Sequence, residues 1–245
     1  MDKRIALVTG AAKGIGKAIV VRLVSENYFV IAIDVDAEGG KKLLAKFGKE
    51  KIQFAKADIC KEKIVQKLFE KIHKEYKRID VLVNNAGIIR DNMIWNMPAS
   101  DFDLVINVNL KGAWLMCREA AKVMKEQKSG RIINISSRAW LGNRGQSNYS
   151  TSKAGIVALT RVLALELGKY NVSVNTVAPG LIDTPLTQKL EKNILQKLID
   201  TQPTKTMGKP DDVANVVVFL ANEKTNFITG QTMYVDGGKS VGAGI

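Results

Sequence analysis

The chain has 245 residues, 46% of them hydrophobic and 25% charged, which suits one large α/β domain with a sizeable core. No apolar run approaches the roughly 18 to 20 residues of a membrane span, and MDKRIALVTG has no secretory leader pattern, so a cytoplasmic protein that does not enter a membrane is expected. Lys plus Arg exceed Asp plus Glu by 37 − 24 = 13; a solvated lysine-rich surface explains this most simply, an acidic partner or phosphate-bearing substrate is the functional alternative, and the dispersed lysines give no footprint for nucleic acid.

In chain order, RIALVTG reads as a strand and KAIVVRLVSEN as a helix. YFVIAID is a second strand, EGGKKLLAKFGK a polar helix, and IQFAKAD a third strand. EKIVQKLFEKIHKEY is a helix, with the single histidine, His73, on its surface. IDVLVNNAG is a fourth strand, and a long helix is expected within FDLVINVNLKGAWLMCREAAKVMKEQ. The strand RIINISS, a helix from about Tyr149 to Leu167, the strand VSVNTVAP, the helix DDVANVVVFLANE and the strand TMYVDGG complete the chain. Strands that are nearly continuous apolar runs and alternate with helices imply a parallel sheet covered on both faces. The expected architecture is a single Rossmann-type, doubly wound α/β domain over residues 1–245. The polar stretch LIDTPLTQKLEKNILQKLIDTQPTKTMGKP has no clear strand or core helix, and a substrate lid is expected at about 181–210. Cys60 and Cys117 stand far apart without a CxxC, so no metal site or disulfide framework is expected.

TGAAKGIG follows the first strand and opens the first helix. Gly10, Gly14 and Gly16 let the backbone approach a pyrophosphate, whose charge sits at the helix N-terminus. Asp34 ends the second strand, 18 residues beyond Gly16. A carboxylate there accepts from ribose hydroxyls and repels a 2′-phosphate, which favours NAD. Lys13, inside the turn, is the residue that would instead admit NADP. Asp58 at the end of the third strand suits an adenine amino group. Asn85, Ala86 and Gly87 of NNAG would line the adenosine side. Ile15 and Ile59, next to these positions, join the expected cofactor contacts.

Tyr149 and Lys153 are four residues apart on one helix, hence on one face. A phenol with an ordinary pKa of about 10 is a poor acid-base group at neutral pH. A neighbouring ammonium favours its ionised form and brings it toward the working range. A serine at the end of RIINISS can hold a carbonyl oxygen against the same phenol. The set suits proton transfer coupled to hydride transfer on a nicotinamide.

TGAAKGIG, NNAG, the serine before YSTSK and PG at Pro179–Gly180 stand in the order found in the classical short-chain dehydrogenase/reductase family, which the whole chain resembles. The resemblance implies that Ser137, Tyr149 and Lys153 are catalytic and that Asn109, at a helix distortion, holds a water in a proton relay through the lysine. It implies that Lys153 also bonds the nicotinamide ribose, and that Pro179, Gly180, Ile182 and Thr184 meet the carboxamide end. Ser136 has the common 13-residue spacing to Tyr149 and Ser137 lies 12 away; the strand pattern selects Ser137. NNAGIIRDNMIWNM, GQSNYSTSKAG and APGLIDTPLT are similar to the 3-oxoacyl-[acyl-carrier-protein] reductases. These make (3R)-hydroxyacyl thioesters, usually with NADPH, and are commonly homotetramers, a state that the apolar tail after VDGG fits. Asp34 departs from that cofactor habit. Arg138, Trp140 and Arg144 make the loop after Ser137 bulkier and more basic than the resemblance implies. An NAD-dependent dehydrogenase of another secondary alcohol (hydroxyacyl-CoA, polyol or steroid) is the alternative, and a non-catalytic dinucleotide sensor a third. If the substrate rides on an acidic carrier protein, Lys128, Arg131 and Lys169 are the expected docking cations.

Overall fold

Seven runs become strands, the five inner ones buried under helices on both faces and the two edge strands, residues 52–56 and 232–235, only partly buried. They are β1 (Ile5–Thr9), β2 (Phe29–Asp34), β3 (Ile52–Lys56), β4 (Val81–Asn84), β5 (Gly130–Ile135), β6 (Val172–Pro179) and β7 (Thr232–Val235). They form one sheet in the order β3-β2-β1-β4-β5-β6-β7, with every pair parallel. The structure, a computed structural model, describes residues 3–241. The apolar tail read as an oligomer contact therefore lies, from residue 242 on, outside the described residues.

Strand alternation sorts the core into two layers. Ala6, Val8, Val30 and Ala32 pack with Ile19 and Leu23 of α1 (Gly14–Ser25), Leu43 of α2 (Ala37–Phe47) and Val213, Val217 and Leu220 further along. Ile5, Leu7, Ile31 and Ile33 turn the other way, onto Val65 and Phe69 of α3 (Glu62–Tyr76) and onto Leu115, Met116, Leu163 and Leu167. Each fully buried aliphatic side chain contributes roughly 1.5–3 kcal/mol, so both faces hold the sheet in place. The order reverses between β1 and β4. That reversal opens a crevice at the carboxyl ends of the strands.

The long central helix carries the distortion that the resemblance implies at Asn109. It is α4 (Ala99–Ile106) and α5 (Ala113–Gln127), joined by a π-helical turn over Asn107–Gly112. α6 spans Ser147–Leu167 and starts two residues before Tyr149. The stretch at 181–210 holds α7 (Lys192–Asp200), which has no buried residue. It leaves and returns through one neck: Asp183 N donates to Gly208 O at 2.8 Å, and Gly208 N donates to Leu181 O at 3.0 Å. Then α8 (Pro210–Ala221) starts with proline in its first turn, and Asp212 Oδ2 accepts from Lys209 N at 2.7 Å.

The expected docking cations are misplaced. Arg131 pairs opposite Ser173 near the amino ends of β5 and β6, at the end of the sheet away from the crevice. It is only 6% exposed. Its guanidinium donates to Gly130 O at 2.7 Å and to Asn226 Oδ1. Lys128, at the C-cap of α5, and Lys169, just after α6, flank that same end. Sequence proximity to the serine strand misled because the reacting groups sit at its other terminus.

Candidate active site

The glycine turn is shaped by contacts that only hydrogen at Cα permits. Gly10 and Gly14 have φ of 64° and 53°. A Cβ on Gly16 would stand 2.0 Å from Gly10 O. Asn85 Nδ2 donates to Thr9 O and Gly10 O, both at 3.0 Å, and Thr9 Oγ1 accepts from Asn85 N and Ala86 N at 3.0 and 3.1 Å. Turn and NNAG segment are thus sewn together across the switch point. Ala12 N donates to Asp34 Oδ2 at 2.9 Å, and Asp36 N donates to Asp34 Oδ1 at 3.0 Å. Asp34 therefore braces the turn as well as bordering the crevice. Cys60 N donates to Asp58 Oδ1 at 3.0 Å.

This crevice, about 560 Å³, is lined by Gly10, Lys13, Gly14, Ile15, Gly16, Asp34, Asp58, Ile59, Asn85, Ala86, Gly87 and Thr184. A second pocket of about 690 Å³ shares Ile15, Asn85, Gly87 and Thr184 with it and adds Ser137, Tyr149, Lys153, Pro179, Gly180 and Ile182. Every expected contact but Asn109 lines one of the two. A long ligand with an apolar ring at one end, a charged middle and a reactive ring at the other fits the joined volume. The residues present therefore suit a nicotinamide dinucleotide.

Asn109 is buried behind this wall. Its Oδ1 accepts from Ile88 N at 2.8 Å, and its Nδ2 donates to Ile88 O at 3.0 Å and to Ser152 Oγ at 3.1 Å. These bonds pin the widened π turn to the NNAG segment and to α6, the kind of place where π turns occur. A Cβ on Gly87 would come 3.3 Å from Asn109 Oδ1 and 3.5 Å from Lys153 Nζ. All three groups thus converge.

The two serines separate cleanly. Ser136 is buried and its hydroxyl donates to Lys153 O at 2.8 Å. Ser137 lines the pocket, caps the short turn Arg138–Leu141 by accepting from Ala139 N at 3.2 Å, and touches the Tyr149 phenol. Lys153 Nζ donates to Ile135 O at 2.9 Å and lies 5.6 Å from the centre of the Tyr149 ring.

Burial dominates the electrostatics, contrary to the expectation that the ammonium brings the phenol down. It pushes the Tyr149 phenol up, and Asp91 adds to that push; contact with Ser137 opposes it. Burial also lowers Lys153 to about 8. The desolvation that each group suffers outweighs their mutual effect at this separation. At neutral pH the pair therefore holds a neutral phenol and an ammonium.

Several contributors carry no motif of their own. Thr9 is the one hydroxyl in the apolar run of β1, and that break in the pattern was its signal. Asn148, fully buried, donates from Nδ2 to Arg90 O at 2.8 Å and accepts from Tyr149 N at 2.7 Å. Of the basic loop, Arg138 lines the second pocket, whereas Arg144 is exposed and lies off it.

A family model described as Enoyl-(Acyl carrier protein) reductase matches residues 10–240. The (2S)-[(R)-hydroxy(phenyl)methyl]succinyl-CoA dehydrogenase subunit BbsD of Thauera aromatica is 43% identical over 100% of this chain and 99% of its own length. The 3-oxoacyl-[acyl-carrier-protein] reductase FabG of Thermotoga maritima is 40% identical over 97% of this chain and 98% of its own. The solved structure "ElxO with NADP Bound" superposes with a TM-score of 0.92 at 34% identity, covering 97% of this chain and 98% of that one. The chain belongs to the short-chain dehydrogenase/reductase family and is an NAD(P)-dependent oxidoreductase of that type. Among the described residues no helix is long and apolar enough to cross a membrane.

Proposed function

We propose that the chain moves a hydride between NAD(H) and carbon 3 of an acyl thioester, reducing a 3-oxoacyl group to the (3R)-3-hydroxyacyl product. The observation that carries this reading is the convergence of Ser137, Tyr149 and Lys153 on a pocket continuous with the glycine-lined crevice. The thioester is favoured by the relatives, one named for an acyl carrier protein ester and one for a CoA ester. CoA or an acidic acyl carrier protein is the carrier.

The glycine turn and the N-terminus of α1 hold the pyrophosphate. Asp34 accepts from the adenosine ribose and selects NAD over NADP, while Asp58 and Ile59 border the adenine. Pro179, Gly180, Ile182 and Thr184 meet the carboxamide, and Lys153 the second ribose. The bound nicotinamide supplies or takes the hydride. Tyr149, kept protonated by its raised pKa, gives its proton to the ketone oxygen. Ser137 donates a hydrogen bond to that oxygen, and the Lys153 ammonium stabilises the phenolate left behind. Asn109 fixes the helix turn beside Lys153 and the water that returns the proton. The excursion at 181–210 closes over the substrate as a lid.

A homotetramer is also proposed. Trp114 of α5 and Val162 and Leu165 of α6 put apolar surface outside, Leu165 at 85% exposure. Sedimentation at the monomer mass would refute it.

The test of function is NADH and NADPH oxidation with acetoacetyl-CoA. Wild type should turn over, and Tyr149→Phe should lose about 10²- to 10⁴-fold in kcat while still binding nucleotide. Oxidation of a simple secondary alcohol without any thioester reduction would instead favour the other-alcohol reading.

A further inference from the structure

The substrate pocket carries more positive charge than proton and hydride transfer use. Its charged lining is Arg138, Lys153 and Lys239 against Asp91. Lys153 serves the phenol. Asp91 Oδ2 accepts from Gln146 Nε2 at 2.9 Å, and Lys239 Nζ donates to Thr201 O at 2.9 Å. Arg138 has no such occupation. It directly follows Ser137, opens the short turn Arg138–Leu141, and is half-buried against the pocket. Its Nε is buried with no hydrogen-bond partner, and no ion pair among the described residues includes it. A desolvated guanidinium donor is costly unless something accepts from it. No side chain here does.

We propose that Arg138 receives a carboxylate carried on the acyl part of the substrate, so that the preferred thioesters are those of dicarboxylic acids. The inference rests on the thioester reading above and narrows it. The guanidinium fork matches a carboxylate in two parallel hydrogen bonds, and Lys239 adds positive field from elsewhere on the wall. The phosphates of the carrier are the other anions to weigh. They lie a full pantetheine arm from the reacting ketone, whereas Arg138 adjoins the serine that holds that ketone. The dinucleotide pyrophosphate belongs at the glycine turn, which lines the other pocket.

The experiment compares 3-oxoadipyl-CoA with its terminal methyl ester as substrates. It also compares the unreactive glutaryl-CoA with butyryl-CoA in calorimetric binding to the nucleotide-loaded protein. Wild type should prefer the free carboxylate by at least about tenfold in both kcat/KM and Kd, the scale of hydrogen bonds to a charged group. Arg138→Gln should bring both ratios to about one, and Arg138→Lys should keep part of them. Equal use of acid and ester by wild type, or a preference unchanged in Arg138→Gln, overturns the proposal. Turnover of both esters at equal rates with equal binding sinks the carboxylate site and leaves the thioester function standing. Tighter glutaryl-CoA binding without turnover of any thioester does the reverse.

Discussion

Lys153 sets the function of the site against the stability of the fold, and Lys153→Met measures the conflict. The side chain is only 4% exposed, and burial lowers its pKa from 10.5 to about 8. A pKa of about 8 in place of 10.5 is worth about 3 kcal/mol. Its sign is destabilising, because the unfolded chain binds this proton more tightly than the folded one. The penalty is fully present below pH 8. It is relieved as pH rises from about 8 to 10.5, the window in which the unfolded state holds more protons. Methionine removes the charge and keeps most of the volume. It also removes the bond from Nζ to Ile135 O, a loss of about 1 kcal/mol. The net gain at pH 7 is about 2 kcal/mol, or roughly 4–8 °C in Tm for a chain of this size. Circular-dichroism melts of wild type and variant at pH 7 and pH 10 read it directly. The variant should melt higher at pH 7, the gap should close at pH 10, and reductase turnover should be lost. A variant less stable than wild type at pH 7, or a gap indifferent to pH, would refute the burial argument.

The same groups give further expectations. The kcat/KM for ketone reduction should fall as pH rises through about 8, as Lys153 loses the ammonium that supports the phenolate; a flat profile to pH 10 contradicts that role. Asp34→Ala should shift the NADP-to-NAD efficiency ratio toward NADP by about 1 to 2 kcal/mol, and a wild type that already prefers NADPH removes the basis for it. Gly16→Ala should abolish nucleotide binding, measured by fluorescence titration, because its Cβ would meet Gly10 O at 2.0 Å. Ser137→Ala and Ser136→Ala should each lose about 1 kcal/mol of stability, through the bond from Ala139 N and the bond to Lys153 O respectively, but only Ser137→Ala should lose turnover; turnover lost in Ser136→Ala and kept in Ser137→Ala exchanges their roles.

The strands were readable because a two-sided parallel sheet leaves little ambiguity: β1, β2 and β4 are nearly continuous apolar runs, and the partly buried edge strands β3 and β7 keep the alternation with helices. The glycine turn was readable for a related reason, since backbone crowding restricts what Gly10 and Gly16 can be. What the sequence hid depends on distance rather than pattern. The π turn at Asn107–Gly112 has no composition of its own and was reached only through the family resemblance; its bonds from Asn109 to Ile88, 21 positions away, are what the sequence could not give. Arg131 lies close to the serines along the chain, yet a strand's length separates it from them in space. The effect of Lys153 on Tyr149 was misjudged because i, i+4 spacing reports a shared face and says nothing of how much water remains there.

Two departures from good folding practice lie at the active site. Arg138 Nε is a buried donor without an acceptor, and Lys153 is an ammonium with a single carbonyl for company. Beside them the backbone is held firmly: Asn109 donates to Ile88 O and Ser152 Oγ, Ser152 Oγ donates to Tyr149 O, and Asn148 donates to Arg90 O. Rigid support around unsatisfied charge is how a protein holds a cation ready for an anion that is formed or brought in. Lys153 awaits a charge made on Tyr149 during the reaction. By the same logic Arg138 awaits one that arrives already made. The two costs respond to different additions: in the nucleotide-loaded protein an acidic acyl thioester should raise Tm through Arg138, and a rise in pH should relieve Lys153.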